Sequence, residues 1–130
     1  MAHPNVDIVR DGYEAFSRGD LDSLQNYFFA PDITWHYGGR SPLSGDYHGV
    51  GQVIDWLGRT YELADGTLAI ELHDVVGNEA HVVALTTLRA ARSGKQLADQ
   101  TTQIFHMHDG RAIEVWTLPG DQYTTDEFWS

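Results

Sequence analysis

The chain lacks cysteine altogether. No disulfide can form and no thiol can act as a nucleophile, and the absence fits a cytoplasmic setting. Basic residues are scarce as well: eight Lys and Arg stand against nineteen Asp and Glu, a formal charge of −11 with the seven histidines neutral. The eight are scattered singly, so no patch is built to hold a phosphate backbone or an anionic lipid surface. Neither a nucleic-acid nor a membrane partner is expected, and an uncharged or cationic small ligand is easier to accommodate. No apolar run approaches the roughly 20 residues that span a bilayer. The opening "MAHPNVDIVRDGYEAF" has no basic stretch leading into an apolar one, so no secretory signal is expected and the expected location is the cytoplasm.

What is present is the material for a core. Apolar residues make up 42% of 130 positions, with four Trp, six Tyr and five Phe. That is enough for one domain over 1–130. Val6, Val9, Tyr13 and Phe16 recur at spacings of three and four, which marks one helical face, with Asn5 as the expected N-cap. Gly19 stops that helix, Asp20 caps the next, and Leu21, Leu24 and Phe28 continue the helical spacing. "APDITWHYGG" reads as a short strand. "GVGQVIDWLGRTYELADG" is a third helix with Val53, Trp56, Leu57, Tyr61 and Leu63 on its buried stripe. From Thr67 onward the period shortens to two. Four runs follow, separated by Gly-Asn, Ser-Gly and Asp-Gly, each a hairpin signal. Three helices and a small hairpin, then a four-strand antiparallel meander, is an α+β layout without repeats or linkers.

The stretches "YEAFSRGDLDSL", "FAPDITWH" and "IFHMHDGRAIEVW", in this order of elements, resemble the NTF2-like superfamily. Within it the chain is most similar to the SnoaL-like branch, relatives of polyketide cyclases and ketosteroid isomerases. The resemblance implies a cone: a strongly bent, mostly antiparallel sheet wrapped around three N-terminal helices, with a pocket inside. It implies a cofactor-free acid–base enzyme of isomerase, cyclase or hydratase type, acting on an apolar metabolite. The alternatives are a non-catalytic ligand-binding or accessory protein, and an epoxide hydrolase-like ring opening that would need Arg89 or Arg92 in an Asp-Arg-Asp network. It also implies a homodimer through the outer sheet face, which the alternation in "VVALTTL" suits.

Strand alternation sorts the candidate residues. In "ADQTTQIFHM" it sets Asp99, Thr101, Gln103 and Phe105 on one face and Gln100, Thr102, Ile104 and His106 on the other. The polyketide-cyclase pattern Asp-Ile-Phe-Arg corresponds to Gln103-Ile104-Phe105-His106, so the family's acid–base aspartate falls on Gln103, which cannot titrate. Asp99, four residues back and roughly 13 Å away by strand rise, is the candidate carboxyl. A carboxyl in a dry cone has its pKa raised and can exchange protons near neutral pH. Gln103 is expected to orient substrate.

On the first strand Ile33, Trp35 and Tyr37 share one face and Thr34 and His36 the other. His36 is a candidate base, by its ordinary pKa near 6.5, and Tyr37 a candidate donor to a developing oxyanion. Tyr13, Trp35, Trp56, Phe105 and Trp116 are the expected pocket lining. Each has a plainer reading too: core packing for Tyr13 and Trp35, a subunit contact for His36, a solvated surface carboxyl for Asp99. His106 and His108 share a strand face with no fixed third ligand beyond His81 or His36, so no metal is expected. Gly38, Gly39, Pro42 and Gly45 serve to turn the chain, with Tyr47 and His48 able to rim the pocket. In the tail, Phe128-Trp129 would be costly to leave in water at roughly 25 cal/mol per Å². The pair is expected to cover the helices, close the pocket mouth or pack on a partner.

Overall fold

Helix α1 (Pro4–Ser17) starts where proline is tolerated, its missing N–H being one of the helix's orphan donors anyway. The computed structural model describes residues 3–130. The cap is His3, whose Nδ1 accepts from the Asn5 N–H at 3.1 Å, and not Asn5 as the sequence suggested. Asn5 is buried instead. Its side-chain amide donates to the carbonyls of Asn78 and Glu79, both at 3.1 Å, and ties the helix start to a distant hairpin. Gly19, at φ +70°, ends the helix in a left-handed turn: its N–H reaches the Phe16 carbonyl while the Asp20 N–H reaches Ala15.

Asp20 then caps the short α2 (Leu21–Ser23) through the Ser23 N–H and hydroxyl. The chain continues in one widened π turn, Leu24–Phe28, where the sequence predicted ordinary helix. That turn buries both Leu24 and Phe28 immediately before the first strand. Gly12 of α1 makes room for it, since a Cβ there would lie 3.1 Å from the Phe28 ring.

The six strands are β1 (Phe29–Tyr37), β2 (Gly45–His48), β3 (Ala69–Gly77), β4 (His81–Arg92), β5 (Lys95–His108) and β6 (Arg111–Leu118). They form one curved sheet in the order β2-β1-β6-β5-β4-β3. All neighbours are antiparallel except β1 and β6. This is the expected α+β arrangement of a mostly antiparallel sheet with helices on its concave side. The β4–β5 and β5–β6 turns are two-residue loops, Ser93-Gly94 and Asp109-Gly110, with positive φ at both central residues as the twist of the strands demands. Register shifts in β1, β3 and between His106 and Met107 mark where the sheet bends.

The inner face is the buried one. Asp99, Thr101, Gln103 and Phe105 alternate inward along β5, as predicted, joined by Leu97 and Met107, and Ile33, Trp35 and Tyr37 do so along β1. Helix α3 (Val50–Leu63) lies against β1 and α1 against β3. The tail adds an element that eight residues of sequence did not announce: α4 (Gln122–Trp129), capped by Asp121, which accepts from the Thr124 N–H and hydroxyl. It packs on β5 and buries Phe128 and Trp129, so the aromatic tail closes onto its own chain.

Candidate ligand-binding site

Between the helices and the concave face lies a cavity of about 70 Å³. Its walls are mainly rings. Phe28 and Phe29 come from the junction of the π turn and β1, Trp35 and Tyr37 from β1, Trp56 from α3 and Phe105 from β5. They pack against one another as tilted or edge-on pairs, Trp35 on Trp56 at 5.3 Å, Tyr37 on Trp56 at 5.2 Å and Phe28 on Phe105 at 5.8 Å between centroids. Such interlocking holds the walls in place.

One polar chain crosses this apolar space. Tyr13 of α1 donates its hydroxyl to the Gln103 side-chain oxygen. The Gln103 amide donates to the Thr117 hydroxyl oxygen at 3.1 Å, and the Trp35 indole N–H donates to the same oxygen at 2.9 Å. Thr117 thus accepts twice, which leaves its own proton free to donate. Every group in the chain is neutral.

Six of the residues predicted from sequence line this cavity together: Tyr13, Trp35, Tyr37, Trp56, Gln103 and Phe105. Three do not. His36 and Trp116 lie on the outer face, because neighbours along a strand alternate and Trp116 is the direct cross-strand partner of His36. They stack at 5.6 Å there, while His36 bridges Asp46 at 2.7 Å and Glu114 at 2.6 Å. The hydrogen bond to Glu114, then that to Asp46, holds the imidazole pKa above its ordinary value.

Asp99 is on the inner face and 6% exposed, but it is not part of the cavity wall. Its carboxylate accepts from the Thr101 hydroxyl at 2.5 Å, the Gly120 N–H at 3.1 Å and the Asp121 N–H at 3.0 Å. It fastens the turn from β6 into α4. Gly120 is required at that turn, since a Cβ would come within 2.7 Å of the Gln100 carbonyl.

The titratable groups lining the cavity are Tyr13 and Tyr37 alone among the described residues. Burial pushes the Tyr13 phenol well above its usual value. Burial also pushes Tyr37 up to about 12, the nearby Trp129 indole pulling back against it and the charges of Asp126 and Asp99 adding to it. Both phenols are therefore donors at neutral pH. Neither arginine of the ring-opening alternative faces the cavity: Arg89 pairs with Glu71 in solvent, and Arg92 binds the carbonyls of Leu63, Phe128 and Ser130. Tyr47 stacks on Trp56 and donates to the Leu43 carbonyl, while His48 stays exposed beside Thr34. His81 and His106 stack on each other at 4.8 Å, and no group of three or more His, Asp or Glu is placed to hold a metal ion among the described residues.

Several lining residues were not singled out as such from the sequence, Phe28, Phe29 and Thr117 among them, and Trp129 was named only with three alternative places for the tail. Thr117 follows from the same alternation that places Val115 inward on β6. Trp129 could not be placed without knowing where the tail goes.

A family model described as a SnoaL-like domain matches residues 9–115. Uncharacterized proteins of Mycobacterium tuberculosis and Mycobacterium bovis are each 36% identical over 127 residues, covering 97% of this chain and 96% of theirs. Among solved structures, Bal32a from a soil-derived mobile gene cassette superposes with a TM-score of 0.93 at 32% identity, over 97% of this chain and 96% of that one. An NTF2-like protein of unknown function from Burkholderia pseudomallei superposes with a TM-score of 0.81 at 26% identity, over 97% of each. No described helix is long and apolar enough to cross a membrane.

Proposed function

This chain belongs to the SnoaL-like family and has its NTF2-like fold, and from that premise we propose that it binds a compact, neutral, mainly apolar metabolite inside the cone. One observation carries this reading: the cavity is walled by rings and aliphatic side chains, and its polar atoms belong to uncharged phenol, amide, hydroxyl and indole groups. A charged ligand would lose its hydration and find no counter-charge, at a cost of several kcal/mol. The volume of about 70 Å³ suits a small ring better than the drug-sized occupants of pockets of roughly 300–1,000 Å³. A general base must lie within reach of the proton it takes and titrate near the working pH. The cavity offers two protonated phenols instead, which favours binding over proton abstraction.

The expected outcome is that toluene produces saturable NMR shifts confined to residues around the cavity. Benzoate, of similar size but charged, should bind at least about 100-fold more weakly. Equal binding of the two, or none of either, would sink the proposal.

A second reading keeps catalysis. Asp99 lies close enough to Tyr37 to act on it electrostatically, and as a base it would remove a proton α to a carbonyl. Deuterium uptake by cyclopentanone in D2O separates the two. Binding alone leaves the rate at the buffer value, whereas acceleration that is lost in Asp99→Asn would establish the enzyme.

We further propose that two copies pair through the outer sheet face. Val76, Val83, Ile104, Trp116, His36 and Asp46 form one directly paired row across all six strands. Leu85 and Leu118 lie in the next row and, with Val76, remain 41–55% exposed. Histidines and carboxylates flank this apolar centre, and a two-fold contact needs both signs because each patch meets itself.

A further inference from the structure

The residues that line the cavity are not equally deep. Tyr13, Leu68, Ile70 and Leu88 are half-buried, and every other lining residue is buried. These four therefore mark the mouth of the cone. Ile70 of β3 and Leu88 of β4 are direct cross-strand partners, and Leu68 lies two residues before Ile70 on the same inward side. Tyr13 comes from α1, which packs on β3. β3 is an edge strand, so no further strand supplies side chains to cover its inner face. The nearest polar groups are engaged elsewhere. The Tyr13 hydroxyl is turned inward to Gln103, and its ring stands edge-on to Phe105 at 6.0 Å. Glu71 and Arg89, the next residues along the two strands, point the other way and pair with each other at 2.9 Å.

An apolar rim continuous with an apolar cavity suits a ligand that extends across both, since half-wet aliphatic side chains gain by being covered. The space behind the rim, about 70 Å³, holds a small ring and little more. We propose that the ligand is an alkyl-substituted ring, the ring seated among the aromatic walls and the alkyl chain running out past Leu68, Ile70 and Leu88. The inference rests on the ligand-binding reading above and extends the ligand beyond the cavity. A hydroxyl or amide at the rim would lose hydration against three aliphatic side chains that offer it no partner. The segment that crosses the rim is therefore hydrocarbon, and its methylenes stay partly wet.

The test is a chain-length series on the full chain: toluene, ethylbenzene, propylbenzene and butylbenzene. Each added methylene should tighten binding about twofold, against about fourfold for a methylene fully buried, so butylbenzene should bind about eightfold more tightly than toluene. Its terminal methyl should give intermolecular NOEs to the methyls of Leu68, Ile70 and Leu88, while its ring protons give them to Trp56 and Phe105. In Ile70→Thr and in Leu88→Thr the ratio of butylbenzene to toluene affinity, taken within each variant, should fall. An ammonium group then reads depth. 5-Phenylpentylamine, whose charge lies beyond the rim, should bind at least about tenfold more tightly than benzylamine, whose charge would lie inside. Affinity that is flat or falls with chain length, a terminal methyl in contact with Trp56 or Phe105, or equal binding of the two amines would overturn the chain exit and leave the ring site intact. Failure of the whole series to bind would overturn the cavity reading and the exit with it.

Discussion

His36 sits between two carboxylates on the outer face, 2.7 Å from Asp46 and 2.6 Å from Glu114. Both contacts favour the imidazolium, so the folded-state pKa lies above the ordinary value near 6.5. The sign follows from linkage. Stabilisation from a raised pKa is complete below the unfolded value and drains away as pH climbs through the folded one. Thermal unfolding of His36→Gln should therefore differ from that of the unaltered chain most below about pH 6.5, and the gap should narrow as pH rises past the raised pKa. A gap independent of pH would mean that the ring's packing on Trp116 is what matters. His36 also shows how residue type misleads: imidazole chemistry recommends it as a base, while strand alternation already separates it from Trp35 and Tyr37. Asp99 is the converse case. Alternation correctly turns it inward, but only the path of the chain after β6 shows that its oxygens are committed to Thr101, Gly120 and Asp121.

Among the elements, α4 was the least legible. Eight residues give too little periodicity to identify a helix, and the partners that hold it are remote in sequence. Arg92 donates to the Phe128 and Ser130 carbonyls, and Lys95 donates to those of Glu127 and Ser130. Two cations thus satisfy carbonyls at a helix C-terminus, where the helix dipole favours them. Arg92→Ala should speed amide exchange across 122–129 by roughly tenfold while β5 keeps its protection. Uniform acceleration through the sheet would show that Arg92 supports the whole fold and not this helix. The longer elements were readable because each carries its signal locally. Spacings of three and four mark α1 and α3, alternation marks β4 and β5, and Ser-Gly and Asp-Gly mark the turns. The parallel pairing of β1 with β6 has no such mark, since the two strands are separated by most of the chain.

For the whole molecule the proposed pairing of two copies through the outer face is testable at Leu85. Leu85→Glu would place a charge in the exposed row that it shares with Leu118, next to the row of Val76. Sedimentation should find dimers of the unaltered chain at micromolar concentration and monomers of the variant, with toluene binding retained. Monomers in both cases would remove the outer face as an interface between copies. Legibility at this scale was uneven: the curved α+β sheet follows from element order and from the family resemblance, whereas the cavity's size and donors follow from side chains converging from α1, the π turn, α3, α4 and five strands.

The parallel join of β1 to β6, with Trp129 arriving afterwards, also sets an order in time. Ribosomes release a chain from its N-terminus, and contacts between distant segments wait for the later one. β1 is made early and stays without its inner neighbour until residues 111–118 emerge, and the cavity wall is incomplete until residue 129. The cavity wall is therefore completed only after all six strands of the sheet have been made.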